Sequence, residues 1–188
     1  MNETKRPKNE IVNSLKPLYG KPCWGMDYDR TVNLSFSFGD PVMTIRGPIQ
    51  SNSKFRKVRE GLARRLVTVK GKWWLWVQIA KWKISFEGKR AVTNLSSYQK
   101  IQRAIAILDG QILINVEINP KTGKTRFEFD LGGVLKVRRW DRKSDDDLWM
   151  LYKPNGYVLT IRGDGQYSHQ PGNTDSDSEK TFPLPQKQ

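Results

Sequence analysis

The sequence predicts a mainly β fold of the α+β class, in which antiparallel hairpins form a twisted sheet or a partly open barrel with one or two short helices. Three observations lead to this prediction. Apolar and polar residues alternate in many short stretches, turn residues separate these stretches, and β-branched and aromatic residues are concentrated in them. One segment has a clear helical period, and a second has a weaker one.

Length and composition favour one domain with polar ends. We predict a single β-rich domain over residues 19–170, because 188 residues can bury a sizeable core. Residues 1–18 are polar, basic and broken by Pro7 and Pro17, which predicts a flexible N-terminal arm. Residues 171–188 are also polar, and we expect a disordered tail there.

The cysteine and histidine counts limit the possible chemistry. Cys23 is the single cysteine, so no internal disulfide can form and the expected location is the cytoplasm. With His169 as the single histidine, no structural zinc site is available. No apolar run approaches the ~20 residues that span a bilayer, and the first ten residues lack the apolar segment of a secretory signal. We therefore expect no metal, no cofactor and no membrane partner.

The first strand signal is the alternation over residues 32–38. Asp40-Pro41 follows as a turn, which predicts a hairpin with residues 42–46. Its expected pairs are Phe38 with Met43 and Phe36 with Ile45.

A basic segment at residues 51–65 predicts a short helix, with an ordered loop as the alternative. Phe55, Val58 and Leu62 recur at helical spacing, and Ser53 is the expected N-cap. Gly61 disfavours the helix by roughly 1 kcal/mol relative to alanine.

Residues 73–86 are the most aromatic stretch, with four of the seven tryptophans. They are apolar at both odd and even positions at first, which predicts a central strand covered on both faces. Gly71-Lys72 is expected to connect this strand to residues 66–70 in a hairpin that pairs Val69 with Trp74 and Val67 with Trp76. In this interpretation Trp74 and Trp76 belong to the core.

The clearest helix follows a short edge strand at residues 91–95. Ser97 is its expected cap, and Gly110 lies just past its end. Its apolar stripe consists of Tyr98, Ile101, Ile105 and Leu108.

Two later hairpins are specified by both pattern and turn chemistry. Over residues 111–131, a loop at residues 120–123 pairs Val116 with Phe127, Ile114 with Phe129 and Glu117 with Arg126. Residues 134–140 continue as a further strand. Over residues 148–161, a three-residue loop with Gly156 in the left-handed region pairs Trp149 with Ile161 and Leu151 with Leu159.

Three segments resemble a group of small bacterial β-rich single-domain proteins: KPCWG (residues 21–25), FEFDLGG (127–133) and LYKPNGYVLTIRGDGQYSH (151–169). The resemblance brings no activity and no functional residue with it. It implies a bacterial cytosolic protein that serves as an accessory of a defence or toxin system.

The net charge of +14 is concentrated in the N-terminal half. Residues 1–94 hold 19 Lys and Arg against 7 Asp and Glu, a net +12, while residues 95–188 hold 14 against 12, a net +2. This asymmetry favours an anionic partner, namely nucleic acid or an acidic protein.

Basic residues interleaved with aromatic rings predict the binding surface, because phosphates attract cations and unstacked bases stack on flat rings. The candidate nucleic-acid-binding residues are Lys54, Arg56, Lys57, Arg59, Arg64, Arg65, Lys70, Lys72, Trp73 and Trp82. The first hypothesis is therefore a non-enzymatic module that binds nucleic acid, and no base-reading motif is visible.

Two other classes of function remain open. The second hypothesis is a protein-interaction module, such as an immunity or defence accessory. The third is a metal-dependent nuclease that uses Glu128 and Asp130, two carboxylates on one polar strand face. Ser168 and His169 are adjacent, and neighbouring strand residues point to opposite faces, so we expect no nucleophile–base pair and no catalytic residue there.

Overall fold

The computed structural model describes residues 7–29, 33–141 and 145–186. Its α-helices are α1 (Pro7–Leu15), α2 (Arg56–Leu62) and α3 (Tyr98–Leu108), and short 3-10 helices occupy Lys16–Leu18 and Ser176–Ser178. Its strands are β1 (Cys23–Tyr28), β2 (Leu34–Arg46), β3 (Leu66–Val77), β4 (Lys81–Ser85), β5 (Val92–Thr93), β6 (Leu113–Ile118), β7 (Thr125–Phe129), β8 (Val134–Arg138), β9 (Asp147–Tyr152), β10 (Tyr157–Arg162), β11 (Gln166–Pro171) and β12 (Phe182–Pro183).

The strands form two antiparallel sheets, which confirms the predicted mainly β fold. A seven-stranded sheet has the order β1-β2-β3-β9-β10-β11-β12, and a five-stranded sheet has the order β5-β4-β8-β7-β6. The sheets are not closed into a barrel. Their inner faces share one apolar cluster, in which the ring of Trp149 on β9 meets Phe127 on β7 at 5.5 Å between centroids. The indole nitrogen of Trp149 also donates to the Thr125 hydroxyl across the two sheets.

Helix α3 and the β9–β10 hairpin follow the sequence pattern closely. Ser97 is the N-cap residue of α3, and Gly110 adopts a positive φ just past its end. The β9–β10 register pairs Trp149 with Ile161 and Leu151 with Leu159, as predicted. The segment at residues 91–95 contributes the short edge strand β5.

The β6–β7 hairpin has the predicted register except at its open end. Val116 pairs with Phe127 and Glu117 with Arg126, but a bulge between Leu113 and Asn115 shifts the remainder by one residue. Leu113 therefore faces Phe129 in the core, and Ile114 is 55% exposed. The predicted pair of Ile114 with Phe129 is wrong.

The two predicted hairpins at residues 32–46 and 66–86 are instead one long hairpin of β2 and β3. Pro41 lies opposite Gly71, and the pairing continues outward to Arg46 opposite Leu66. A bulge places Gly39 and Asp40 opposite Lys72 alone. The turn residues at both sites thus form a kink within one hairpin. The strands approach so closely there that a Cβ at Gly71 would lie 2.4 Å from the carbonyl oxygen of Phe38.

The predicted central strand at residues 73–86 is divided between the two sheets. Strand β3 ends at Val77, and β4 begins at Lys81 in the other sheet. Ile79 lies in the connection with a φ of 43°, an uncommon conformation for a β-branched residue. The continuous apolar run therefore reflects two neighbouring strands joined by a tight corner.

Both chain ends pack against the sheets. Ile11 and Leu15 of α1, together with Leu18, are buried in the shared core, so the described part of residues 1–18 is not a free arm. At the other end β12 pairs with β11, and Leu184 is 3% exposed. The predicted disordered tail thus contributes a strand and a core residue.

None of the helices in the described ranges is long and apolar enough to cross a bilayer.

Candidate functional site

The outer part of the long hairpin extends beyond both sheets. Residues 41–46 of β2 and 66–71 of β3 pair only with each other, and six residues span about 20 Å. A loop and helix α2, residues 47–65, connect the two strands at the far end and are called the tip below. We call residues 41–71 the basic ribbon.

The basic ribbon carries half of the net charge of the chain. Eight Lys and Arg residues against Glu60 alone give residues 41–71 a net +7, out of +14 in total. Helix α2 buries no residue, so the cations around it face solvent. Arg56 pairs with Glu60 at 3.5 Å, whereas no carboxylate of the described residues lies within 4 Å of Lys57, Arg64 or Arg65.

Arg46 closes the tip of the basic ribbon. Its guanidinium donates to the carbonyl oxygens of Leu62 at 3.1 Å, Gly61 at 3.3 Å and Arg64 at 3.2 Å. These carbonyls lie at the end of α2 and just beyond, where no further helical turn satisfies them. Arg59 similarly donates to the carbonyl of Ser53 at 2.7 Å. Arg46 and Arg59 therefore hold the tip in shape, a role that residue type alone did not reveal.

One face of the basic ribbon is apolar and uncovered. Met43 lies opposite Val69 and Ile45 opposite Val67, so these four side chains share a face. They are 63%, 55%, 59% and 52% exposed, respectively. This face is the continuation of the inner face of the seven-stranded sheet, beyond the point where the other strands end. An exposed apolar patch of this kind is typical of an interaction surface.

The opposite face of β3 combines cations with rings. Leu75 and Val77 point into the core, so the alternate residues Lys70, Lys72, Trp74 and Trp76 lie on the outer face. The Lys70 ammonium lies 3.2 Å from the centroid of the Trp74 ring, a cation–π contact. Lys72 donates to the Asp40 carboxylate at 2.8 Å and lowers the pKa of Asp40.

Three aromatic rings meet on this outer face. The Trp74 and Trp76 rings stack with centroids 5.7 Å apart and planes 16° apart. Tyr152 on β9 pairs directly with Trp74, and their centroids are 4.9 Å apart. All three side chains are half-buried. The prediction that Trp74 and Trp76 are core residues is therefore wrong.

Two predicted aromatic site residues do not belong to this surface. Trp82 is 2% exposed and packs edge-on against Tyr28, because β4 turns it into the shared core. Trp73 lies on the inner face of β3 and packs against the core, with Lys21 5.6 Å from its ring. The other eight candidates, Lys54, Arg56, Lys57, Arg59, Arg64, Arg65, Lys70 and Lys72, lie on the basic ribbon or at its base.

The carboxylates proposed for a nuclease are engaged in local contacts. Glu128 accepts from Asn115 at 2.9 Å and from Arg126 at 2.6 Å, and the hydrogen bonds from these two side chains lower the pKa of Glu128. Asp130 accepts from the backbone N–H of Ile112 at 2.8 Å. Among the described residues, no group of three His, Cys, Asp or Glu side chains has metal-binding geometry.

Ser168 and His169 point to opposite sides of β11. Ser168 lies on the outer face, where its hydroxyl bonds to Glu179. His169 lies on the inner face beside α1, with its Nε2 2.9 Å from Lys153 Nζ and its Nδ1 4.0 Å from Glu10. The same ammonium donates to Ser14 on α1, and the Tyr167 hydroxyl donates to Glu10. This polar network joins α1 to the large sheet.

We expect the network to weaken as the pH falls below neutrality. Burial and the nearby Lys153 charge lower the pKa of His169, although Glu10 opposes this shift. The unfolded chain, whose histidine has a pKa near 6.5, therefore binds more protons than the folded protein, and folding stability is lost as the pH falls through that value. Denaturant titrations of wild type and His169→Gln at pH 7.5 and 5.5 would measure this. The wild type should lose more stability than the variant, and equal losses would contradict the assignment.

No protein-family model, curated protein or solved structure matches this chain. The resemblance to small bacterial proteins therefore stays an expectation from the sequence. Function is therefore inferred from the residues of the site itself.

Proposed function

We propose that this protein is a non-enzymatic nucleic-acid-binding module of the bacterial cytoplasm, and that the basic ribbon makes its phosphate contacts. The single observation that carries the proposal is the net +7 on a two-stranded projection whose cations face solvent. Such a charge density is not needed for folding, since residues 41–70 contribute nothing to the core. A nucleic-acid backbone carries the closely spaced negative charges that such a surface would bind.

The shape of the basic ribbon supports the same partner. A two-stranded antiparallel ribbon is narrow enough to enter a nucleic-acid groove or to lie along a strand. Lys57, Arg64 and Arg65 sit at its tip with no described carboxylate within 4 Å, so they are available for phosphate contacts. We expect slight sequence preference, because phosphate contacts position a protein but do not read bases.

A salt series tests this function directly. Oligonucleotide binding would be measured for wild type and for the triple variant Lys57→Ala/Arg64→Ala/Arg65→Ala, with both single strands and duplexes. Each lost phosphate contact should reduce the magnitude of the log–log salt slope by roughly 0.7 to 0.9. Arg46 and Arg59 are left intact because their loss would also deform the tip.

The matched control removes three cations from the body of the protein. Lys89, Arg90 and Lys124 are exposed and lie in loops of the five-stranded sheet, away from the basic ribbon. Their triple alanine variant has the same change in net charge and should keep nearly the wild-type slope. Absence of binding at low salt, or equal slopes in the two variants, would refute the function.

The apolar face of the basic ribbon favours a second candidate function, docking to an acidic protein. Met43, Ile45, Val67 and Val69 offer a hydrophobic contact, and the surrounding cations select for a negatively charged partner. Surface charges are strongly screened at about 0.5 M salt. Stable co-purification of one acidic protein under those conditions would favour the docking function. That complex should be lost in Val67→Thr/Val69→Thr. The same double variant should leave oligonucleotide affinity unchanged if phosphate contacts dominate.

A further inference from the structure

We propose that Trp74, Trp76 and Tyr152 form a stacking platform for the unpaired bases of a single-stranded nucleic acid. This inference rests on the proposed function and names its substrate class. The platform lies on the outer face of β3 and β9, and Lys70 and Lys72 precede it on the same face of β3. A strand whose phosphates follow these lysines would bring its bases to the rings.

The platform is built from paired strands of the sheet. Trp74 lies directly opposite Tyr152, and Trp76 opposite Met150, so the pairing of β3 and β9 fixes the backbone positions from which the rings project. The two stacked indoles and the tyrosine ring are in contact with one another, and each side chain is partly exposed to solvent. Positioned rings of this kind lose little conformational freedom when a base stacks on them.

The neighbouring residues suit a nucleotide better than an apolar ligand. Ser35 pairs with Trp76 on the adjacent strand β2, which places a half-buried hydroxyl beside that ring. The Lys70 ammonium lies 3.2 Å from the centroid of the Trp74 ring and covers part of one ring face, so a positive charge for a phosphate lies at the platform itself. Duplex bases stack on each other and offer no free face, so the platform selects unpaired bases.

The platform and the tip should contribute differently to binding. Contacts with phosphates release counterions and depend steeply on salt, whereas base stacking does not change the number of ions released. Substitutions on the platform should therefore weaken binding at every salt concentration with little change in slope. Substitutions at the tip should change the slope itself.

The test compares Trp74→Leu and Tyr152→Leu with a matched control. Trp140 is also half-buried and has a lysine, Lys81, 5.1 Å from its ring, but it lies outside the platform. Binding of oligodeoxythymidine should weaken by about 5- to 160-fold in each platform variant, the range expected for loss of one stacked base. Binding of a duplex should stay within about twofold of wild type, because phosphate contacts dominate there. Trp140→Leu should not change either affinity.

A conservative variant separates stacking from folding. Trp74→Phe keeps a flat ring, so it should retain most of the single-strand affinity even if Trp74→Leu unfolds, and thermal unfolding would be recorded for each variant. Equal losses for single strands and duplexes, or unchanged single-strand binding in the folded platform variants, would overturn the platform while leaving the proposed function intact. Absence of binding to any oligonucleotide would overturn both.

Discussion

Phe129→Ala should lower the free energy of unfolding by about 3–5 kcal/mol, the range for removing a large aromatic side chain from a packed core. Phe129 is 2% exposed and lies opposite Leu113 in the cluster shared by the two sheets. The surrounding strands pair on both sides of β7, so they cannot collapse readily into the space left behind. Urea titration monitored by tryptophan fluorescence measures the loss.

Ile114→Ala is the matched control for this prediction. The bulge in β6 turns Ile114 outward, where it is 55% exposed. Its truncation should change stability by less than about 0.5 kcal/mol, as for most surface substitutions. Had the register followed the alternation without a bulge, Ile114 would be buried against Phe129 and the two variants would cost comparable amounts. A large loss in Ile114→Ala would therefore contradict the bulge.

The sequence pattern predicts elements whose periodicity and turn chemistry agree. In the β9–β10 hairpin, the alternation of Trp149 and Leu151 and the positive φ at Gly156 point to one register, and that register is observed. Helix α3 is likewise specified by its stripe and by Gly110. Bulges are harder to predict because one extra residue shifts the face without altering the composition.

The long hairpin could not be predicted because its kink resembles two turns. Asp40-Pro41 and Gly71-Lys72 are both typical turn dipeptides, and each was expected to reverse the chain. In the structure Pro41 faces Gly71 across one bulge. Only the pairing partner distinguishes a turn from a kink, and that information is not local in sequence.

The sequence predicted the basic residues of the candidate site, but it assigned the tryptophan side chains to the wrong faces. Lys and Arg side chains are rarely buried in any fold, so the exposure of the basic cluster at residues 54–72 follows from residue type alone. The face of each tryptophan depends on strand boundaries that the sequence obscured. Once β3 is read from Leu66 to Val77, its period assigns Trp73 inward and Trp74 and Trp76 outward, next to Lys70 and Lys72.

Removal of residues 1–18 should nearly abolish the cooperative thermal transition. Ile11, Leu15 and Leu18 are buried at 6%, 4% and 0% exposure. At roughly 1.5–3 kcal/mol for each buried aliphatic side chain, their loss amounts to about 5–9 kcal/mol. That is comparable with the whole stability of an ordinary domain, about 5–15 kcal/mol. The spacing of these residues is helical, but Pro7 and Pro17 and the surrounding polar residues conceal it.

Point variants separate the packing of α1 from the effect of shortening the chain. Leu15→Ala should cost about 2–5 kcal/mol, as expected for a buried leucine. Val12→Ala, on the same helix but 55% exposed, should be nearly neutral because it uncovers no core surface. Thermal unfolding followed by circular dichroism would rank the three proteins with the truncated chain lowest and Val12→Ala close to wild type. A truncated chain that melts at the wild-type temperature would show that α1 does not dock, and would restore the flexible arm that the sequence predicts.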